Sequence, residues 1–245
     1  MSRTDPLPPA CDVAVVGGGI LGLAVARELL RRHPGLELCL LEAEGRVGAH
    51  QTSHNSGVIH AGVYYEPGSL RARLCVEGAI LIESFCLEHD IPWRHAGKLI
   101  VAVDERELGR LDELERRARA NGVRDLARLG PDGIPAVEPG ARGLAALHSP
   151  LTGVTDFALV ADAIAAEVER DGGAIRTGAA VLGIDSPAKA RLHSLPRSPA
   201  GGRGVALRTA RGVVRAGTAV FCAGLQSDRL ARLAGGDPEP RIAPI

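Results

Sequence analysis

Along this chain short solid apolar runs take turns with stripes of apolar residues at helical spacing, the pattern of strands alternating with helices. The first run, Asp12 to Val16, reads as a buried strand, and the glycines that follow open a helix reaching about Arg32. Leu36 to Leu41 is a second strand. The segment after Glu42, AEGRVGAHQTSHNSGVIHAGVYYEPG, is polar, glycine-rich and too long for a plain connection, so it reads as a functional loop. From Ser69 to about His89 the spacing predicts a helix that buries Leu70, Leu74, Ile80, Leu81 and Phe85, with Pro92 ending it. Lys98 to Val103 is a strand. Glu105 to Ala120 is a charged surface helix with Leu108, Leu111 and Leu114 on one side. Pro131, Pro135 and Pro139 break the chain into a loop, and a strand and turn then lead to Phe157. A helix follows over Ala158 to Arg170, and a strand over Ala174 to Ile184. Residues 186–203 are basic and rich in Pro, Ser and Gly, which predicts a flexible surface insertion. GVALRT and GVVRAG form a hairpin, Thr218 to Cys222 a last strand, and Ser227 to Leu233 a last helix. The expected fold class is α/β.

Composition narrows this picture. Hydrophobic residues make up 45% of the 245 and aromatics only 2%, so the core is built from Ala, Val, Leu and Ile. Lys plus Arg (29) balances Asp plus Glu (29), which leaves no net charge to attract nucleic acid or an anionic surface. The longest uncharged run, Val13 to Ala26, is too short to span a membrane, so no transmembrane segment is expected and only peripheral contact is left open. The five cysteines have no metal-type spacing, and the leader MSRTDPLPPA lacks an apolar signal-peptide core. The plain expectation is a reducing, cytoplasmic setting, with contact at most to the inner face of the membrane.

The chemistry begins at Gly17, Gly19 and Gly22, which form a G-x-G-x-x-G turn between strand and helix. Gly17 permits the tight turn, Gly19 lets the backbone approach a pyrophosphate, and Gly22 lets helix and strand pack closely. The pyrophosphate would meet the unpaired N–H groups at the positive end of the helix. Glu42, twenty residues past Gly22 and at the end of the second strand, can accept the hydroxyl hydrogens of a ribose. The glycine pattern alone is weak; strand, turn, helix, strand and acid together point to a dinucleotide. They do not separate NAD from FAD.

Four further stretches carry a resemblance: HNSGVIHAGVYYEPGSLRARLCVEG (His54 to Gly78), GKLIVAV (Gly97 to Val103), TGVTDF (Thr152 to Phe157) and CAGLQSDRLA (Cys222 to Ala231). By these the chain resembles the FAD-dependent oxidoreductases related to D-amino-acid oxidase and glycerol-3-phosphate dehydrogenase, and within them is most similar to the L-2-hydroxyglutarate dehydrogenases and oxidases. The resemblance implies a Rossmann-type FAD-binding domain made of discontinuous segments, with an interleaved α+β substrate domain. The segments would be 11–92 and 151–236 for the flavin domain and 93–150 for the start of the substrate domain, with 237–245 beginning a return to it. Relatives continue beyond that point, so the resemblance implies a truncated copy with an incomplete substrate domain and no activity by itself.

The resemblance also implies that Gly17, Gly19, Gly22 and Glu42 hold pyrophosphate and ribose, and that Val181 lies beside the adenine. Ala223 and Gly224 would bring a second backbone turn to the cofactor. The loop from Thr52 to Gly62, including Thr52, Ser53, His54, Ser56 and Gly57, would pass beneath the isoalloxazine. A simple strand-to-helix turn is the alternative for Ala223 and Gly224. His60, in I-H-A-G, is the natural general base because the usual imidazole pKa lies near working pH; the alternative is a loop histidine bonded to backbone. His54 matches the place of a flavin-linking histidine in sarcosine and dimethylglycine dehydrogenases, but its neighbours differ, which favours a polar contact. Tyr64, Tyr65, Arg71, Arg73 and Lys98 could meet a dicarboxylate, although arginines on an amphipathic helix are usually solvated. The implied reaction is oxidation of L-2-hydroxyglutarate, a 2-hydroxy dicarboxylate, to 2-oxoglutarate, with oxygen, a quinone or another carrier as electron acceptor. An amine- or glycerol-phosphate-oxidising flavoenzyme and a catalytically silent nucleotide-binding fragment are the competing readings.

Overall fold

The computed structural model describes residues 3–185, 204–237, 239, 241 and 242; the insertion expected at 186–203 lies outside the described residues, as does most of the return expected at 237–245. The chain divides into two units, one made of 1–55 and 157–245, the other of 56–156. In order, the first unit opens with β1 (Ala10–Val16), α1 (Ile20–Arg32) and β2 (Leu38–Leu41). The second contains β3 (Val58–Ile59), α2 (Leu70–Glu88), β4 (Trp93–His95), β5 (Lys98–Ala102), α3 (Glu105–Ala120), β6 (Ala127–Leu129), α4 (Ile134–Val137), β7 (Ala145–Ser149) and β8 (Gly153–Thr155). The chain then returns to the first unit with α5 (Phe157–Arg170), β9 (Ala174–Arg176), β10 (Val181–Asp185), β11 (Val205–Thr209), β12 (Gly212–Phe221), a 3-10 turn at Gly224–Gln226 and α6 (Ser227–Leu233). The units divide after Asn55 and after Asp156. Strand pairing holds the second unit together there: β3 and β4 both pair with β8, which ties Val58 and Ile59 to Gly153–Thr155.

The first unit is built on one sheet of order β10-β11-β12-β1-β2-β9. β1 runs parallel to β2 and to the second half of β12, and β2 runs parallel to β9. In this register Val16 sits beside Leu41 and Phe221, and Leu41 beside Arg176. Four strands therefore stop at one level. Cys39 and Leu41 join Ala14, Val16, Ile184, Leu207 and Val214 in one buried cluster, so one face of β1 and β2 shares its core with β10 to β12. By the two-residue period of a strand, Val15 and Leu40 point the other way, to the side packed by α1. α1 buries Gly22, Leu23, Ala26 and Leu30, spaced as one face of a helix, and packs along α5, where Arg27 pairs with the buried Glu167.

Two sequence expectations change here. The strand expected from Ala174 to Ile184 is two strands on opposite edges of the sheet; Gly178 at φ +60° turns the chain, and the Ala179 N–H donates to the Glu42 carbonyl 2.7 Å away. GVVRAG and Thr218 to Cys222 are instead one strand, β12, which is antiparallel to β11 over Gly212–Ala216 and parallel to β1 from Arg215 onward. The chain changes partners there without changing conformation.

The second unit holds two antiparallel three-stranded sheets, β3-β8-β4 and β5-β7-β6. α3 behaves as its sequence predicts: Asp104 caps it by accepting from the Arg106 and Glu107 N–H groups, Leu111 is buried, and Leu108 and Leu114 pack beside it. α2 does not. Leu70, Leu74, Ile80 and Leu81 are 52–68% exposed, and only Ala72, Phe85 and Cys86 are buried. The helix is apolar nearly all round, so spacing alone could not single out its inner face, and the face chosen combines small residues with Phe85.

Candidate functional site

The strand ends that share one level in the first unit release Gly17, Glu42 and Cys222 side by side, the place where α/β sheets bind ligands. Sterics require the glycines there. Gly17 has φ +110°, and a Cβ on it would lie 2.4 Å from the Cys222 carbonyl oxygen; a Cβ on Gly22 would lie 1.9 Å from the Gly17 carbonyl oxygen. Gly19 is different, for a Cβ there would meet only Thr52 Oγ1, at 3.4 Å. Beyond Gly19 the space is open, which would let a ligand approach the backbone there.

Glu42 is 8% exposed, yet both its oxygens are used: Oε2 accepts from the Gly18 N–H at 2.5 Å and Oε1 from the Glu44 N–H at 2.8 Å. Each oxygen keeps a lone pair for a hydroxyl donor. Gly18 had no role in the sequence reading. A Cβ on it would come within 2.9 Å of Glu42 Oε2, so it must be small for the acid to lie against the turn, and the unbroken GGG was the available signal.

At the N-terminus of α1 the Ncap residue Gly19 has no side chain, and the missing cap comes from far along the chain: Thr52 Oγ1 accepts from the Ile20 N–H at 3.0 Å. The first turn of α1 carries no acidic residue that would compete with a bound anion. Ser53 donates to the Gly48 carbonyl, and Gly48 in turn donates to the Gly18 carbonyl, so this loop is stitched to the turn. His54 is exposed, with Nδ1 2.9 Å from the His50 carbonyl oxygen. Ala223 lies against Gly17, with its N 3.3 Å from where a Gly17 Cβ would stand; Gly224, at φ +51°, starts the 3-10 turn. Val181 packs against the cluster that includes Leu41 and Ala179. The structure thus brings together Gly17, Gly19, Gly22, Glu42, Thr52 and Ala223, a set of backbone and hydroxyl donors beside one carboxylate acceptor that could hold pyrophosphate and ribose.

Ser56, Gly57 and His60 belong to the second unit. Ser56 is exposed, and Gly57 at φ +68° sits where a Cβ would lie 2.7 Å from the Thr155 carbonyl oxygen. His60 lines a small concavity with Tyr64, Tyr65, Lys98 and Thr152. Solvent still reaches its ring, but partial burial and the nearby Lys98 charge push its pKa below the usual imidazole value. It is therefore neutral near pH 7. The cysteines offer no comparable chemistry: burial drives the thiol of Cys11 up to about 11 and that of Cys39 up to about 12, which keeps both protonated.

Among the described residues no helix is long and apolar enough to cross a membrane. The chain is 43% identical over 234 residues to "L-2-hydroxyglutarate dehydrogenase, mitochondrial" of Nematostella vectensis, covering 96% of this chain and 51% of that protein. It is 42% identical over 237 residues to the human protein of the same name, covering 96% and 50%. The chain thus spans about half the length of these curated relatives. Their mitochondrial designation overturns the cytoplasmic setting expected from the cysteines: reduced thiols report a reducing environment, which does not identify the compartment. Among solved structures, L-alpha-glycerophosphate oxidase from Mycoplasma pneumoniae with FAD bound matches with TM-score 0.76 and 26% identity, over 92% of this chain and 57% of that one. The DAO family model, described as FAD dependent oxidoreductase, matches residues 12–245, and with it the sheet, the glycine turn and Glu42 place this chain in that family of FAD-dependent oxidoreductases.

Proposed function

We propose that this chain is part of an FAD-dependent enzyme that oxidises L-2-hydroxyglutarate, or a similar L-2-hydroxy acid, to the 2-oxo acid, and that it both holds the nucleotide and supplies the general base. The observation that carries the reading is the identity above 40%, across nearly the whole chain, with relatives named L-2-hydroxyglutarate dehydrogenase. In this reading Gly17, Gly19 and Gly22 cradle the pyrophosphate against the α1 N-terminus, where Thr52, whose Oγ1 accepts from the Ile20 N–H, keeps its O–H to donate. Glu42 takes the ribose hydroxyls, Val181 flanks the adenine, and Ala223 and Gly224 supply the second turn. Ser53, His54, Ser56 and Gly57 line the loop beneath the ring system. When bound, FAD supplies the acceptor for the hydride that leaves the substrate α-carbon. His60, neutral near pH 7, takes the hydroxyl proton at a ring nitrogen as the carbonyl forms, and an external carrier reoxidises the cofactor.

The test is to purify the full-length polypeptide that contains these residues, identify the released flavin, and mix the oxidised protein anaerobically with candidate substrates. Bleaching of the flavin by L-2-hydroxyglutarate, and not by glycerol 3-phosphate, glycine or sarcosine, is the expected result. Bleaching only by an amine or by glycerol 3-phosphate would replace the reading with a sister reaction. A colourless protein that binds NAD would remove it.

A further inference from the structure

The chain has 29 Lys and Arg residues, and only Lys98 and Lys189 are lysines; it has two tyrosines, Tyr64 and Tyr65. Lys98 and both tyrosines line the concavity that holds His60. In a sequence that uses arginine almost everywhere for surface charge and almost no aromatics anywhere, this concentration in one concavity calls for a chemical reason. Lys98 opens β5, where pairing with Ser149 of β7 fixes its backbone. Its Nζ lies 4.4 Å from the centre of the Tyr64 ring, a cation–π contact that holds the ammonium while leaving its N–H donors available. Among the described residues no carboxylate lies within ion-pair distance of it. The hydroxyl of the buried Thr152 donates to Ser149 Oγ, so the wall beside the lysine is polar and ordered.

A compact ammonium with rotatable donors, two phenols and a neutral imidazole form a site for an anion that also carries a hydroxyl group. Resting on the reading of this chain as part of a 2-hydroxy-acid oxidising enzyme, we infer that the concavity is the substrate's carboxylate subsite. Lys98 is its specificity-determining cation: it receives the distal carboxylate of a 2-hydroxy dicarboxylate and so separates that substrate from monocarboxylates of similar length. Tyr64 fixes the ammonium. The same positive charge helps to keep His60 unprotonated, so the group that selects the substrate also favours the form of the histidine that can accept a proton.

The test uses the full-length, flavin-loaded polypeptide and its Lys98→Met and Lys98→Arg variants. Binding of glutarate and of butyrate, which cannot react, is measured by calorimetry, and steady-state rates are measured with L-2-hydroxyglutarate and L-2-hydroxybutyrate. The parent should bind glutarate at least tenfold more tightly than butyrate. Lys98→Met should erase that preference and raise KM for L-2-hydroxyglutarate at least tenfold, with a smaller change in kcat, and Lys98→Arg should restore part of the preference. A Lys98→Met protein that keeps the glutarate preference overturns the inference while leaving the proposed reaction intact. Equal weakening of glutarate and butyrate together with a lower melting temperature also overturns it, by giving Lys98 a purely structural role. A parent that oxidises no 2-hydroxy acid yet prefers glutarate through Lys98 removes the proposed reaction and leaves the subsite standing.

Discussion

Substituting alanine for Gly22 tests whether the glycine turn is held by packing as tightly as its geometry indicates. The added methyl carbon would stand 1.9 Å from the Gly17 carbonyl oxygen and 3.3 Å from Cys222 Cβ, so roughly an ångström must open between helix and strand end. Neither side yields easily. The Gly17 N–H is bonded to the Leu41 carbonyl at 2.8 Å, and the Cys222 N–H to the Val16 carbonyl at 2.8 Å, beside the fully buried side chains of Val15, Leu40 and Leu41. Forcing a methyl into such packing costs about 1–3 kcal/mol. Losing the Gly17 bond would add about 1 kcal/mol. A total of about 2–4 kcal/mol corresponds to a drop in melting temperature of about 2–8 °C for a polypeptide roughly twice this length, such as the relatives. The helix N-terminus would move with the turn, so flavin content should fall as well. Gly45→Ala is the control, because nothing lies within 4 Å of its Cβ position and its φ is not positive; its melting temperature should stay within about 2 °C of the parent. Both variants are to be made in the full-length polypeptide and read by differential scanning calorimetry and by flavin absorbance per protein. A Gly22→Ala protein that melts within 2 °C of the parent and keeps its flavin would refute the packing argument.

Four further outcomes follow from the second unit. His60→Ala should lower turnover on L-2-hydroxyglutarate by ~10²–10⁴ with little loss of bound flavin. Because the His60 pKa is lowered, its neutral form persists to lower pH than for a free imidazole, so kcat/KM should fall only as pH drops below about 6.5. Lys98→Met removes one of the two causes and should move that acid limb upward; a limb that stays put would show that the charge does not reach the histidine. On α2, Leu74 and Leu81 are 53% and 68% exposed, so replacing both with Gln should raise the solubility of the isolated 1–245 chain, with a change of less than about 0.5 kcal/mol in unfolding free energy. A large loss of stability would show that these leucines are packed.

Much of the glycine turn and its surroundings was legible in the sequence because its requirements are local. A turn with φ +110° at Gly17, a strand run before it, a helical stripe after it and an acid at the end of the next strand each leave a mark within a few residues. The charged helix α3 was legible for the same reason, with its Asp104 cap and leucine stripe written into adjacent positions. Other features depend on partners far away in the chain. Thr52 caps α1 across 32 residues, and Gly18 must be small because Glu42 folds back against it across 24. The run from Ala174 to Ile184 looks like one strand until Gly178 sends its halves to opposite edges of the sheet. Periodicity likewise could not name the inner face of α2, where apolar residues surround the axis and packing within the second unit chose Ala72, Phe85 and Cys86. Nor could it show that β3 and β4 both pair with β8, nearly a hundred residues after β3. Local backbone geometry is a property of neighbouring residues, and the sequence by itself determined it; which strand edge, cap or helix face is satisfied by which distant segment is an outcome of packing, and only the tertiary structure decided that.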